Sequence, residues 1–173
     1  SRCTTEEVNG LTGGNTTTLT LNDTLSEDPV VIGTESGNVT LEGLDIPVGF
    51  TLNLDGTVTV PPNTPAGEYL IEYQICEVGN LDNCDSATST IVVAAPTITA
   101  LDDNTEPVNG STGGTTITSL TSNDTLNGVP VIVGTESGNV ILSGFVIPTG
   151  FTLNANGTVT VPMNTPVGVY SIV

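Results

Sequence analysis

The chain repeats itself. Gly33-Thr34-Glu35-Ser36-Gly37-Asn38-Val39 returns unchanged as Gly134-Thr135-Glu136-Ser137-Gly138-Asn139-Val140, an offset of 134 minus 33, or 101 residues. At that offset, residues 29–72 and 130–173 agree at 30 of 44 positions, so the two copies must share a fold. Upstream, Val8-Asn9-Gly10 and Gly13-Gly14 match Val108-Asn109-Gly110 and Gly113-Gly114 at an offset of 100, which places a one-residue insertion between Gly114 and Asn123. The expected domains are residues 1–97 and 98–173, joined through the short apolar run 94–100, a linker that makes a stiff array. Repeat two reaches Val173, the counterpart of Glu72, without a counterpart of residues 73–95. Two explanations stand: the chain is cut from a longer array, or another chain supplies the missing strands.

An all-β fold follows from the patterning. Strands are expected at residues 16–21, 29–32, 39–41, 50–54, 57–60, 67–76 and 86–93, and the cognate segments of repeat two. Seven short strands per repeat, punctuated by Pro and Gly, predict tandem immunoglobulin-like β-sandwiches. No stretch has a 3.6-residue period with caps. The alternating run 51–60 is interrupted by Asp55-Gly56, and its copy by Asn156-Gly157, both signals for a type I′ hairpin.

Composition removes most chemistry. With no His and no Lys there is no Ser-His or Cys-His pair, no imidazole ligand, no Schiff base and no Lys–Asn cross-link. A net charge of −18 with Arg2 as the only cation excludes nucleic acid and anionic membrane surfaces, and leaves trypsin-like proteases one site. No apolar run is long enough for membrane insertion as a helix. Carboxylates alone would permit a glycosidase pair, but a Gly- and Thr-rich duplicated chain with no Trp and 3% aromatics offers no sugar subsite, so no enzyme is expected and a carbohydrate-binding module fits poorly.

Cys76 and Cys84 stand at the two ends of the expected loop between the last strands, and in a secreted chain they are expected to pair. Cys3 is left over, either for a Cys elsewhere or as a free thiol. Acidic residues gather at Asp102, Asp103 and Asp124, near the seam; as hard oxygen ligands they would suit calcium, and as solvated loops they would need nothing.

Residues 73–77 and 83–87, together with Asp55-Gly56-Thr57-Val58-Thr59-Val60 and Pro65-Ala66-Gly67, resemble the repeats of giant cell-surface adhesins of Bacteroidota, exported by the type IX system and in some cases serving gliding. Ala100-Leu101-Asp102-Asp103 and residues 123–128 are similar to cadherin-like bacterial repeats, some of which bind calcium. The resemblance implies an extracellular, cell-surface location and O-glycosylation at Asp-Ser/Thr-apolar motifs, here Thr24, Ser86 and Thr125. The sequons at Asn15, Asn22, Asn38, Asn109, Asn123 and Asn156 would matter only in a eukaryotic secretory route. Three functions follow: a structural stalk whose partners are neighbouring repeats of the same chain, with the ligand of any distal tip unspecified; a filament in which identical chains complete one another by strand donation; and a carbohydrate-binding module.

Overall fold

The computed structural model describes residues 6–173, so Arg2 and Cys3 lie outside the described residues. Among these residues every regular element is a strand: β1 (Val8–Asn9), β2 (Gly14–Asn15), β3 (Thr24–Leu25), β4 (Asp28–Pro29), β5 (Val39–Asp45), β6 (Thr51–Leu52), β7 (Val58–Val60), β8 (Gly67–Glu77), β9 (Asn80–Ala94), β10 (Ile98–Thr99), β11 (Gly114–Thr115), β12 (Thr125–Leu126), β13 (Val129–Pro130), β14 (Thr152–Leu153) and β15 (Val159–Val161). The chain divides into two compact units, Ser1–Pro96 and Thr97–Val173.

Unit 1 is a sandwich of two sheets, ordered β1-β9-β8-β5 and β2-β7-β6. Strand β1 runs parallel to β9 (Val8↔Val93), and the remaining neighbours are antiparallel. This is the immunoglobulin-like order, with strands A′, G, F and C facing B, E and D. The ribbon β3–β4 is inserted between B and C. Period-two alternation explains the core: Tyr69, Ile71 and Tyr73 of β8 point inward between the exposed Glu68, Leu70 and Glu72. They meet Ile91 and Val93 of β9, Val58 and Val60 of β7, and Val8, Leu19 and Phe50 in one buried cluster.

Asn9 steers the chain from one sheet to the other. Its Oδ1 accepts from the backbone N–H of Leu11 (3.0 Å) and Thr12 (3.3 Å), and Asn109 repeats the turn with Ser111 and Thr112. Beyond β2, the buried Thr16 hydroxyl takes the place of a backbone acceptor for Val58 N–H (3.0 Å), as Thr116 does for Val159.

The expected hairpin differs in type. Asn53 N–H donates to Thr57 O (2.8 Å) and Gly56 N–H to Asn53 O (3.0 Å), closing a three-residue loop in which only Gly56 has a positive φ, 81°. That is a type I turn followed by a left-handed bulge residue, not type I′. The reason is side-chain chemistry: Asp55 Oδ1 accepts from Thr57 N–H (3.0 Å) and its hydroxyl (2.6 Å), and Asn156 does the same with Thr158. The two-residue loop with both φ positive lies elsewhere, at Ser26 (53°)-Glu27 (73°) and at Asn127 (53°)-Gly128 (75°).

Strand bounds also shift. Residues 16–21 hold no strand and of 29–32 only Pro29 lies in one, β4, whereas β5 and β9 run longer than expected. Unit 2 has six short strands in two three-stranded sheets, β10-β12-β13 and β11-β15-β14, rather than seven. Its residues 140–146, which align with β5, form an isolated Val133↔Val140 bridge and the pairing of Phe145 and Val146 with Val173, whereas β5 is held along its length by β8.

Candidate functional site

Cys76 and Cys84 form a disulfide, with Cα atoms 4.1 Å apart. They lie within the β8–β9 ladder as directly opposed residues rather than at the ends of a loop, and the strands continue to the Glu77↔Asn80 pair at the tip. The covalent bond therefore crosslinks two strands already in register and leaves residues 81–83 as a bulge opposite Cys76–Glu77.

A second contact tying strand F to the rest of the sandwich is polar. Tyr73, 1% exposed, donates from its hydroxyl to Asp23 Oδ2 (2.7 Å) and lies 3.1 Å from Leu19 O. One buried phenol thus fixes β8 against the turn that follows strand B, 50 residues away in sequence. Nothing local marks this pair; the inward position of Tyr73 on an alternating strand is the only sequence signal. Two buried hydroxyls on β9, Ser89 Oγ and Thr90 Oγ1, have no hydrogen-bond partner among the described residues.

Asp102, Asp103 and Asp124 do come near one another. Burial, and then the charges of Asp124 and Asp102, hold the Asp103 carboxyl above the usual carboxylate range. Asp124 Oδ1 is engaged by Leu101 N–H (2.9 Å), and Asn123 Nδ2 donates to the backbone oxygen of Asp102 (3.3 Å). Among the described residues no three Asp, Glu or Cys side chains come together in a way that could hold a metal ion. The Asp103 shift is that of a partly desolvated carboxyl beside neighbouring carboxylates without a neutralising cation, and one oxygen of Asp124 caps a backbone amide.

Glu106 shows the opposite effect. Its carboxylate accepts from the backbone N–H of Ile117 and Thr118, and the Ile117 bond above all holds its pKa below the usual range.

Of the three O-glycosylation candidates, Thr24 on β3 and Ser86 on β9 are exposed, and Thr125 on β12 is half-buried. The carboxylates preceding them are engaged differently: Asp23 by Tyr73, Asp85 by Ser86 N–H (2.9 Å), and Asp124 by Leu101. Among the described residues no helix is long and apolar enough to cross a membrane.

No family model matches this chain, and no curated protein matches it. Among solved structures it is similar to protocadherin gamma B7 extracellular cadherin domains 1–4, at 15% identity and a TM-score of 0.28, over 70% of this chain and 31% of that one. The chain thus spans less than a third of that structure, and a likeness so low transfers nothing to it.

Proposed function

We propose that the chain is a structural module of an extracellular surface adhesin, a stalk segment built of tandem sandwiches and without catalysis. The observation that carries this reading is the duplication of an immunoglobulin-like unit whose longest hairpin is crosslinked by Cys76–Cys84. A disulfide fits an oxidising, extracytoplasmic setting. Strand β9 ends at Ala94 and β10 begins at Ile98, so only Ala95, Pro96 and Thr97 connect the last strand of one repeat to the first of the next. A module of this kind contributes length and resistance to unfolding rather than a pocket. Screening the purified chain against glycans and extracellular matrix proteins tests the reading: no binding is expected, and a ligand held at micromolar affinity or tighter would overturn a purely passive role.

A second reading is the filament in which identical chains complete one another by strand donation, main-chain hydrogen bonds to a sheet edge supplying the affinity. Micrographs of native material combined with intact mass separate the two. Covalent threads of very high mass support the stalk; polymers that dissociate into short chains support donation.

A further inference from the structure

Asparagine followed by glycine occurs four times, at Asn9-Gly10, Asn109-Gly110, Asn127-Gly128 and Asn156-Gly157. In such a pair the glycine amide nitrogen can attack the asparagine Cγ, because the glycine has no Cβ to hinder the approach and the two groups are tethered in one chain. The fold treats the four pairs differently.

Three are locked. Gly10 N–H donates to Ala94 O (2.9 Å), and Asn9 Oδ1 is held by the amides of Leu11 and Thr12. Asn109 Oδ1 is held in the same way by Ser111 and Thr112, and Gly110 lies so close to Thr165 O that the pair has no room to turn. Gly157 N–H donates to Asn154 O (2.9 Å), Asn156 Oδ1 accepts from the Thr158 N–H and hydroxyl, and Gly157 is packed against Ser119. The fourth pair, Asn127-Gly128, is open. It forms the two-residue turn between β12 and β13, where the Gly128 N–H donates to no group among the described residues and a Cβ at Gly128 would meet nothing within 4 Å. Asn127 Oδ1 accepts from Thr97 N–H (3.0 Å), a donor that polarises the Cγ carbonyl and stabilises the oxyanion that forms on attack. This exposure does not depend on the later strands of a repeat, since the counterpart turn Ser26-Glu27 is exposed in unit 1 with β8 and β9 in place.

We propose that Asn127 is a site of spontaneous covalent modification, closing on Gly128 to a succinimide that opens to aspartate or isoaspartate. Gly128 N gives its proton to solvent base, its electron pair forms the N–Cγ bond, and the Cγ–Nδ2 bond breaks with release of ammonia. Water then adds to one of the two imide carbonyls. Addition at Cγ leaves an aspartate in an ordinary main chain; addition at the main-chain carbonyl carbon of Asn127 routes the chain through Cβ and Cγ, as isoaspartate. Either product adds one negative charge. The second also lengthens a turn of only two residues and so disturbs the Leu126↔Val129 register. The same turn in unit 1 is inert, because Ser26 has no amide to close the ring. The proposal goes beyond the stalk reading and does not rest on it.

The test incubates the whole chain at mildly alkaline pH, folded and in denaturant. A glutamate-specific protease then separates residues 107–136 from 137–173, fragment spectra assign each modified asparagine, and isoaspartate methyltransferase labels the rearranged product. Each hydrogen bond that must open before attack slows the step by up to about tenfold. In the folded chain Asn127 should therefore convert at least about tenfold faster than Asn9, Asn109 or Asn156, whereas in denaturant the four should convert at similar rates. Asn127→Gln, whose longer side chain closes a larger ring less readily, should remove the fast site and leave the other three unchanged. Folding that slows Asn127 as much as the other three overturns the proposal, as does a fast site that survives in the Asn127→Gln variant.

Discussion

Ser26 and Glu27 occupy a turn in which both residues have positive φ, a conformation that Asn127 and Gly128 fill in the second copy. Glutamate at 73° meets the steric penalty of the left-handed region, and glycine does not. Glu27→Gly should therefore stabilise unit 1 by about 0.5–1 kcal/mol, the relief exceeding the extra chain entropy of glycine. A higher denaturation midpoint with an unchanged denaturant slope is the expected result. Two carboxylates give opposite pH effects. Asp103 has a raised folded pKa, so its penalty is absent below the unfolded value, grows as pH rises through the folded one, and is complete above it. Glu106 has a lowered folded pKa, so the stability it contributes is full above the unfolded value and lost as pH falls through the folded one. Carboxyl shifts followed by NMR should place the Asp103 midpoint above that of an ordinary aspartate and the Glu106 midpoint below that of an ordinary glutamate, and Asp103→Asn should raise the melting temperature of unit 2 at neutral pH but not in acid.

At the scale of elements, β8 and β9 dominate unit 1, and the crosslink between Cys76 and Cys84 sits near their free end. Replacing both cysteines by serine removes closure of a short loop, worth about 2–3 kcal/mol on the chain-entropy model. The loss should show as faster amide exchange at the tip, around Glu77 and Asn80, before it appears at Ile71 and Ile91 in the core. Equal acceleration at both places would mean that the hairpin opens only with the whole sandwich. Strand β8 was the most legible in the sequence, because Tyr69, Ile71, Tyr73 and Ile75 alternate along residues 67–76; β9 was readable only from Ser86 on, and the cysteine pair marked the hairpin but not its tip. The class of fold was readable for the same reason, as period-two runs separated by Pro and Gly leave no room for helices. What local pattern did not reveal depends on distant partners. Residues 39–45 and 140–146 share Val, Leu and Gly at alternate positions, yet only the first form a strand, and β8 supplies their pairing. The Asp55-Gly56 pair signalled a hairpin but not its type, because Thr57 competes for the aspartate oxygen. The Tyr73–Asp23 bond joins segments too far apart for any window to connect, and no local pattern shows that Asp124, besides lying near Asp102 and Asp103, caps Leu101.

Taken whole, the two units bury their shared apolar residues to different extents. In unit 1, Leu19, Val39, Phe50, Val60 and Ile71 are buried; their counterparts Leu120, Val140, Phe151, Val161 and Ile172 are only half-buried. Less apolar area removed from water means less stability, at about 25 cal/mol per Å². Thermal unfolding of the isolated chain should therefore show two transitions, with unit 2 melting first. Charge separates the transitions further. Of the 19 carboxylates, 14 lie in residues 1–96 and the remaining 5 in residues 97–173, so self-repulsion weighs on unit 1. Raising the salt concentration, which shortens the screening length to about 10 Å at 0.1 M, should lift the upper transition more than the lower one. Calorimetry across a salt series checks both expectations together. A single transition would mean that the units unfold as one body, and a lower transition that responded more strongly to salt would mean that the five carboxylates of unit 2, three of them gathered at Asp102, Asp103 and Asp124, repel more strongly than the fourteen spread over unit 1.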